Sequence, residues 1–221
     1  MPRHYSQLYR ELRALDPADY HRIIRTYEER EQEIGRLDVL ENFELTVLYV
    51  DALFETGAYR QHQLMVDLVI HASIRFDIRH VPGRDEEIYE YQLFRKAASA
   101  FRINDYATAE HVLRELIRMR PQRDVYVRFL RATLFRQQTS VLQFGRAACI
   151  LCMLLTAAVV TLNLLVIKNF YPTYAAAATW TSFYVFATGL LMLFGAYGYA
   201  YYLTYRAATN FRTGQLNKRL P

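Results

Sequence analysis

The chain has 221 residues, is 52% hydrophobic and 14% aromatic, and carries a formal charge of +5. That composition excludes intrinsic disorder, while two cysteines and eight glycines exclude a disulfide-stapled secreted domain and a collagen-like or linker-like chain. The charge is unevenly placed: all 22 acids lie at or before Asp124, and residues 125–221 hold nine bases and no acid. Two physically different segments share one chain.

Residues 1–123 are expected to form a helical domain. Gly and Pro are scarce, apolar residues recur at three and four, and no alternating strand pattern persists. MPRHYSQLYR has no apolar core, so no signal peptide is expected and this domain is not expected to cross a membrane. Asp16 followed by Pro17 is a helix-start signal, predicting a helix to about Glu33. Val81, Pro82 and Gly83 predict a break, with Asp85 capping the next helix. Pro121 predicts another break, with Asp124 as the cap after it. The acids Glu86, Glu87 and Glu90 stand at a helix start, where they favour the dipole.

Between the breaks lie helix pairs. In Glu87–Pro121, Ala97 and Ala100 are small, Asn104 sits at the turn, Tyr106 is the aromatic after it, and Ala109, Leu113, Leu116 and Pro121 complete the pattern. This resembles a single tetratricopeptide repeat, with Ala97, Ala100, Tyr106, Ala109 and Pro121 as the repeat-packing set. An earlier stretch, Leu45–Ile78, echoes it with Gly57 then Tyr59, but has His62 at the packing alanine and no closing proline. The two turns are 47 residues apart against a repeat period of about 34, so the array is irregular. The resemblance spans roughly 43–78 and 87–121, about a third of the chain, and implies a turn residue with an unusual backbone angle and a surface for protein partners.

Residues 124–146 are expected to form a basic juxtamembrane segment, with 124–143 as one helix able to run into the span beyond it. Its Arg128, Arg131 and Arg136, with Arg146, are placed to meet anionic headgroups, each worth about 1 kcal/mol near the surface. A basic stripe also suits nucleic acid, but no base-reading module is present, so no nucleic-acid partner is expected.

The next segment, 147–167, is 21 residues without a charge, about 31 Å as a helix and enough to cross a bilayer's hydrocarbon. A second uncharged run spans 169–205; with Pro172 and Thr173 opening an external loop at 168–180, the second transmembrane helix is expected at 181–205 and a basic tail at 206–221. Phe170, Tyr171, Tyr174 and Trp180 mark one interface; Tyr197, Tyr199, Tyr201, Tyr202 and Tyr205 mark the other or pack on a partner's helix. Arg128, Arg131, Arg136 and Arg146 before the first span, and Arg206, Arg212, Lys218 and Arg219 after the second, outnumber the lone Lys168 between them, so both termini are expected in the cytoplasm, at a bacterial inner membrane. Cys149, Cys152, Thr156, Val159, Asn163 and Val166 form one stripe of the first span. In the second, Thr181, Thr188, Gly195 and Tyr202 repeat every seven, with Tyr184, Leu191, Gly198 and Tyr205 three residues later. Small residues on such stripes let helices approach in lipid, so Thr156, Asn163, Thr181, Thr188, Gly195 and Gly198 are the expected packing set of a left-handed hairpin. Asn163 is expected to find Thr181, Thr188, a symmetry mate's Asn163, or water at the outer interface.

No catalytic motif is present. Cys149-x-x-Cys152 has redox or metal-site spacing but lies inside a span, where small packing residues suit it better. The histidines make no ligand pair on one helix, and His71, one turn after Asp67, reads as a surface hydrogen bond. No cofactor, metal site or enzymatic activity is expected. Neither span carries a charge at depth, which disfavours a monomeric transporter. The fold class is therefore all-α: a tetratricopeptide-like α-hairpin stack followed by a two-helix transmembrane hairpin. Two functions fit. The first is a membrane-anchored adaptor that recruits protein partners, self-associated or as a subunit of a membrane complex. The second is an effector whose hairpins assemble into a pore or lesion when the helical domain is triggered.

Overall fold

The computed structural model describes residues 5–82, 86–170 and 172–218. The expected break and cap at Gly83 and Asp85, and the residues His4, Tyr171 and Arg219, lie outside them. Every regular element among the described residues is helical, and the chain divides into two compact units, Met1–Tyr126 and Val127–Pro221.

In the first unit, α1 (Gln7–Arg13) is capped by Ser6, whose Oγ accepts from the Tyr9 amide. The Asp16–Pro17 signal is used differently from the expectation. Asp16 closes a turn by accepting the Ala18 amide, and Asp19 caps α2 (Tyr20–Glu29) three residues later. That helix does not reach Glu33: Arg30 leaves helical geometry at φ −118°, and a single turn, α3 (Glu31–Ile34), follows. Two long pairs come next: α4 (Val39–Glu55) with α5 (Tyr59–Arg75), and α6 (Ile88–Arg102) with α7 (Tyr106–Met119). Each packs on the next in sequence, and α1 and α2 pack on α4.

Gly57 (φ 80°) and Asn104 (φ 64°) both turn through the left-handed region, where glycine has no Cβ to clash and asparagine is among the few side chains tolerated. Ala97, Ala100 and Ala109 are fully buried, and Pro121 is buried just beyond α7. Tyr106 is half-buried, its hydroxyl donating to Asn104 Oδ1 at 2.7 Å and its ring edge-on to Phe101. Leu53, Ile88, Leu113, Leu116 and Ile117 fill the core, each contributing about 1.5–3 kcal/mol by leaving water.

The second unit holds most of α8 (Asp124–Gln137), which stops before the span instead of running into it: Gln138 breaks helical geometry at ψ 44°, and α9 (Thr139–Leu162) starts afresh. A π-turn, Asn163–Ile167, follows, then α10 (Lys168–Phe170), a 3₁₀ turn at Pro172–Tyr174, and α11 (Ala175–Asn217). The expected loop at 168–180 is thus shorter, and the expected tail is helical to Asn217. Two helical stretches, Ser140–Ile167 and Ala176–Asn217, are long and apolar enough to cross a membrane, and only 6% and 11% of their most apolar segments is buried. Their side chains therefore do not fill a protein interior.

The two helices run antiparallel. A Cβ added at Gly145 would stand 2.5 Å from the Ala196 Cβ, and one added at Gly189 would stand 2.6 Å from the Cys152 Cβ. These glycines set the approach. The expected Gly195 and Gly198 do not: nothing lies within 4 Å of a Cβ at either. Their stripe, with exposed Thr181 and Thr188, faces away from α9, and the inward stripe is one residue round, through Ser182, Gly189 and Ala200. On α9 the expected stripe is the inward one until the π-turn. The extra residue of that turn rotates Val166 out to 42% exposure and brings Ile167 round to a half-buried position. Arg146 reaches Tyr197, so the uncharged part of α9 is level with the first half of α11, and the tyrosines from 197 onward lie beyond it.

Gly189→Ala should lower the thermal midpoint of the full chain in detergent, since overpacking at a closed contact costs about 1–3 kcal/mol. Gly195→Ala, in open space, should leave it unchanged or raise it through helix propensity. A thermal melt of both variants checks the order; equal melting would show that α9 and α11 do not meet at Gly189.

Candidate functional site

Helices α2, α3, α4 and α5 enclose an open cavity of about 470 Å³. Its walls are mainly apolar, with Ile34, Phe43, Met65, Leu68, Val69 and Phe76 prominent. Its buried and half-buried polar groups are satisfied from within. Asn42 Nδ2 donates to the Ile34 carbonyl at 3.0 Å, Thr46 Oγ1 donates to the Asn42 carbonyl at 2.8 Å, and the Tyr27 hydroxyl is 3.0 Å from Thr46 Oγ1. Desolvation raises the Tyr27 pKa above the ordinary tyrosine value. Glu31 is the only charged lining residue; it is exposed and has no ion pair among the described residues. Along α5 the apolar surface continues outward, with Leu64 75% and Leu68 57% exposed.

Elsewhere in this unit the helices are held by polar contacts. Tyr9 donates to Glu44, Tyr49 donates to Glu28 at 3.0 Å, and Tyr126 donates to Glu90 at 2.5 Å. Burial, reinforced by the facing carboxylate, pushes the Tyr9 pKa up to about 12 and raises those of Tyr49 and Tyr126. The acids expected to serve the α6 dipole also meet arginines beyond α7: Arg120 is 2.7 Å from Glu90, and Arg123 is 3.3 Å from Glu86. Asp67 pairs with Lys96 at 2.5 Å, across to α6, rather than with His71.

His62 is wholly buried where a packing alanine was the pattern. Its Nδ1 is 2.9 Å from Ser99 Oγ, which sends its own proton to the Lys96 carbonyl. That assigns the proton to Nδ1 and leaves Nε2 a bare acceptor with no partner among the described residues. A second proton would bury a charge without an acceptor, so burial, with the Arg95 charge adding to it, pushes the His62 pKa down to about 4.

In the hairpin, Asn163 is 4% exposed, so it is not wetted at an interface. Its Oδ1 has no partner among the described residues, and neither Thr181 nor Thr188 supplies one: their hydroxyls donate to Ala177 and Tyr184 of their own helix. Thr156 is half-buried and bonds back to the Cys152 carbonyl. Cys149 and Cys152 are free thiols at the Gly189 contact.

The basic residues divide into two sets. Arg128, Arg136 and Arg206 are exposed, with no side-chain partner among the described residues, and Arg212 is half-buried on α11. Arg131 and Arg146 instead lie on tyrosines of α11. Arg146 Nε and Nη2 donate to the Tyr197 hydroxyl at 3.1 and 2.7 Å, and the Arg131 guanidinium is 5.7 Å from the Tyr201 ring and 5.6 Å from the Tyr205 ring. Sequence reading found these bases but not their rings, which are 51 to 74 residues away. No family model, curated protein or solved structure matches the chain.

The His62 shift carries a pH dependence. The unfolded imidazole binds a proton below its ordinary pKa of about 6.5 and the folded one only below about 4, so stability is full above 6.5 and falls between those values, by up to about 3 kcal/mol. Calorimetry of the full chain in detergent should show the amino-terminal unit's transition falling from pH 7 to pH 4.5. His62→Gln should flatten that slope; an unchanged slope would place the effect elsewhere.

Proposed function

We propose that the protein is a membrane-anchored adaptor: α9 and α11 hold it in a bilayer, and the amino-terminal unit recruits a protein partner. The cavity walled by α2–α5 carries this reading. An enzyme site needs polar groups that converge and are free to act, whereas here Tyr27, Asn42 and Thr46 are engaged with one another or with backbone. What remains for a ligand is apolar wall, the exposed Leu64 and Leu68, and the unpaired Glu31. That set fits a partner helix that inserts two or three apolar side chains and sets a lysine or arginine against Glu31. We propose further that α4–α7 are a tetratricopeptide-like stack turning at Gly57 and Asn104, and that both termini are cytoplasmic at a bacterial inner membrane, as the base distribution favours.

A second reading, an oligomerising effector, draws on α11. Thr181, Tyr184, Thr188, Leu191, Gly195, Gly198, Tyr202 and Tyr205 keep heptad spacing and are all exposed. A second copy of the same helix is the occupant this seam fits, since facing small and large positions interdigitate.

A photo-crosslinking residue at position 68 should capture one defined protein in cells, and Glu31→Arg should abolish the capture. The same residue at Arg118, away from the cavity, should capture nothing. Unchanged capture in Glu31→Arg would remove the cavity from the account. Induced expression should leave the membrane potential intact; depolarisation that Gly195→Leu or Thr188→Leu abolishes would favour the effector instead.

A further inference from the structure

We propose that Arg131 and Arg146, braced on Tyr197, Tyr201 and Tyr205 of α11, form a specific site for the phosphodiester of an anionic glycerophospholipid. The proposal rests on reading α9 and α11 as membrane-spanning.

Arg146 is the last charge before the uncharged run that begins at Ala147, so its guanidinium stands at the hydrocarbon edge. Its bonds to Tyr197 put that tyrosine at the same level. Tyr201 and Tyr205 lie one and two turns further along α11, about 6 and 12 Å outward. Arg131, facing both rings, therefore stands further out on the same ladder. A headgroup layer is about 5–8 Å deep on each side of a hydrocarbon core about 30 Å thick. The two guanidiniums thus bracket the depth of a lipid phosphate.

Their charge is uncompensated. No residue from 125 to 221 is an acid, and neither arginine has a carboxylate partner among the described residues. Tyrosine faces and one tyrosine hydroxyl orient the guanidiniums without neutralising them, which leaves N–H groups free for phosphate oxygens. The same contacts set the preference among lipids. An aromatic face attracts a choline ammonium, but Tyr197, Tyr201 and Tyr205 each already have an arginine guanidinium within 6 Å of the ring, so a second cation there meets like charge. A zwitterionic headgroup would place its cation beside two others. Arg128 and Arg136, exposed and unbraced, lack this fixed geometry and contribute only general surface charge.

The test is native mass spectrometry of the full chain released from detergent with equal phosphatidylglycerol and phosphatidylcholine. The unmodified protein should retain phosphatidylglycerol at least ten-fold over phosphatidylcholine. Arg131→Gln/Arg146→Gln should bring the ratio near one, while Arg128→Gln/Arg136→Gln, with equal loss of charge, should keep it. Equal retention of the two lipids by the unmodified protein would overturn the proposal, whatever the variants do, and so would an equal loss in the two double variants. Inorganic phosphate at 20 mM should neither raise the melting temperature nor displace the lipid; if it does both, the site reads free phosphate and the lipid assignment fails. Recovery of the chain in a detergent-free supernatant would overturn the membrane reading itself, whereas the lipid ratios and the phosphate control bear on the site alone.

Discussion

Fixed positive charge with no carboxylate to answer it governs the second half of this protein. In the first unit a guanidinium finds an acid: Arg95 sits between Asp51 and Glu55, and Arg120 and Arg123 close on Glu90. Beyond Asp124 the chain supplies no acid. Arg128, Arg136 and Arg206 there are exposed, and Arg131 and Arg146 lie on tyrosine rings, which offer a negative face without charge. The runs 147–167 and 169–205 carry no charge at all. Hydroxyls on α9 and α11 follow the same logic: Thr161, Thr181, Thr188 and Thr209 each donate to the carbonyl four residues back, which leaves none of these four donors unmet in an apolar surround.

The first unit is organised by the opposite condition, an excess of acids among helices that bury tyrosine. Each Tyr–Glu contact joins elements distant in sequence: Tyr9 to Glu44 fastens α1 on α4, Tyr49 to Glu28 fastens α4 on α2, and Tyr126 to Glu90 fastens the start of α8 on α6. A hydrogen bond to a charged partner contributes about 1.5–3 kcal/mol, comparable with burying one aliphatic side chain, and it is directional where the aliphatic contact is not. The apolar core sets how much the helices gain by packing; these bonds set the register in which they pack. The polar groups at the cavity, Tyr27, Asn42 and Thr46, are likewise engaged, which leaves the cavity between α2 and α5 mainly apolar.

Much of this architecture was legible in the sequence, because the signals are local. The helical periodicity, the turns at Gly57 and Asn104, and the long uncharged runs each depend on residues within a few turns of one another. What escaped depends on pairing. Two neighbouring stripes of α11 carry small residues at heptad spacing, and nothing in the sequence says which one α9 covers; Gly189 opposite Cys152 decides it, and Gly195 is left outside. The π-turn after Asn163 adds one residue to a turn, enough to exchange Val166 for Ile167 on the inward face, and no residue type announces it. The tyrosines that meet Glu44, Glu28 and Glu90 are likewise ordinary apolar-face positions until the partner helix is known.

The inward placement of Asn163 also weighs between the two proposed functions. A conducting path between hairpins would draw its polar lining from the outward face of the helices. Asn163 and Ser182 are buried within the hairpin, Thr156 is half-buried, and the outward seam offers Thr181 and Thr188 with their protons already committed to backbone. The rest of that seam is Tyr184, Leu191, Gly195, Gly198, Tyr202 and Tyr205, a surface suited to close helix packing and poor at hydrating an ion. If hairpins associate through it, the product is a packed bundle rather than a wet pore. Under the adaptor proposal, association of that kind would set several copies of the α2–α5 cavity side by side and raise the effective concentration a partner meets.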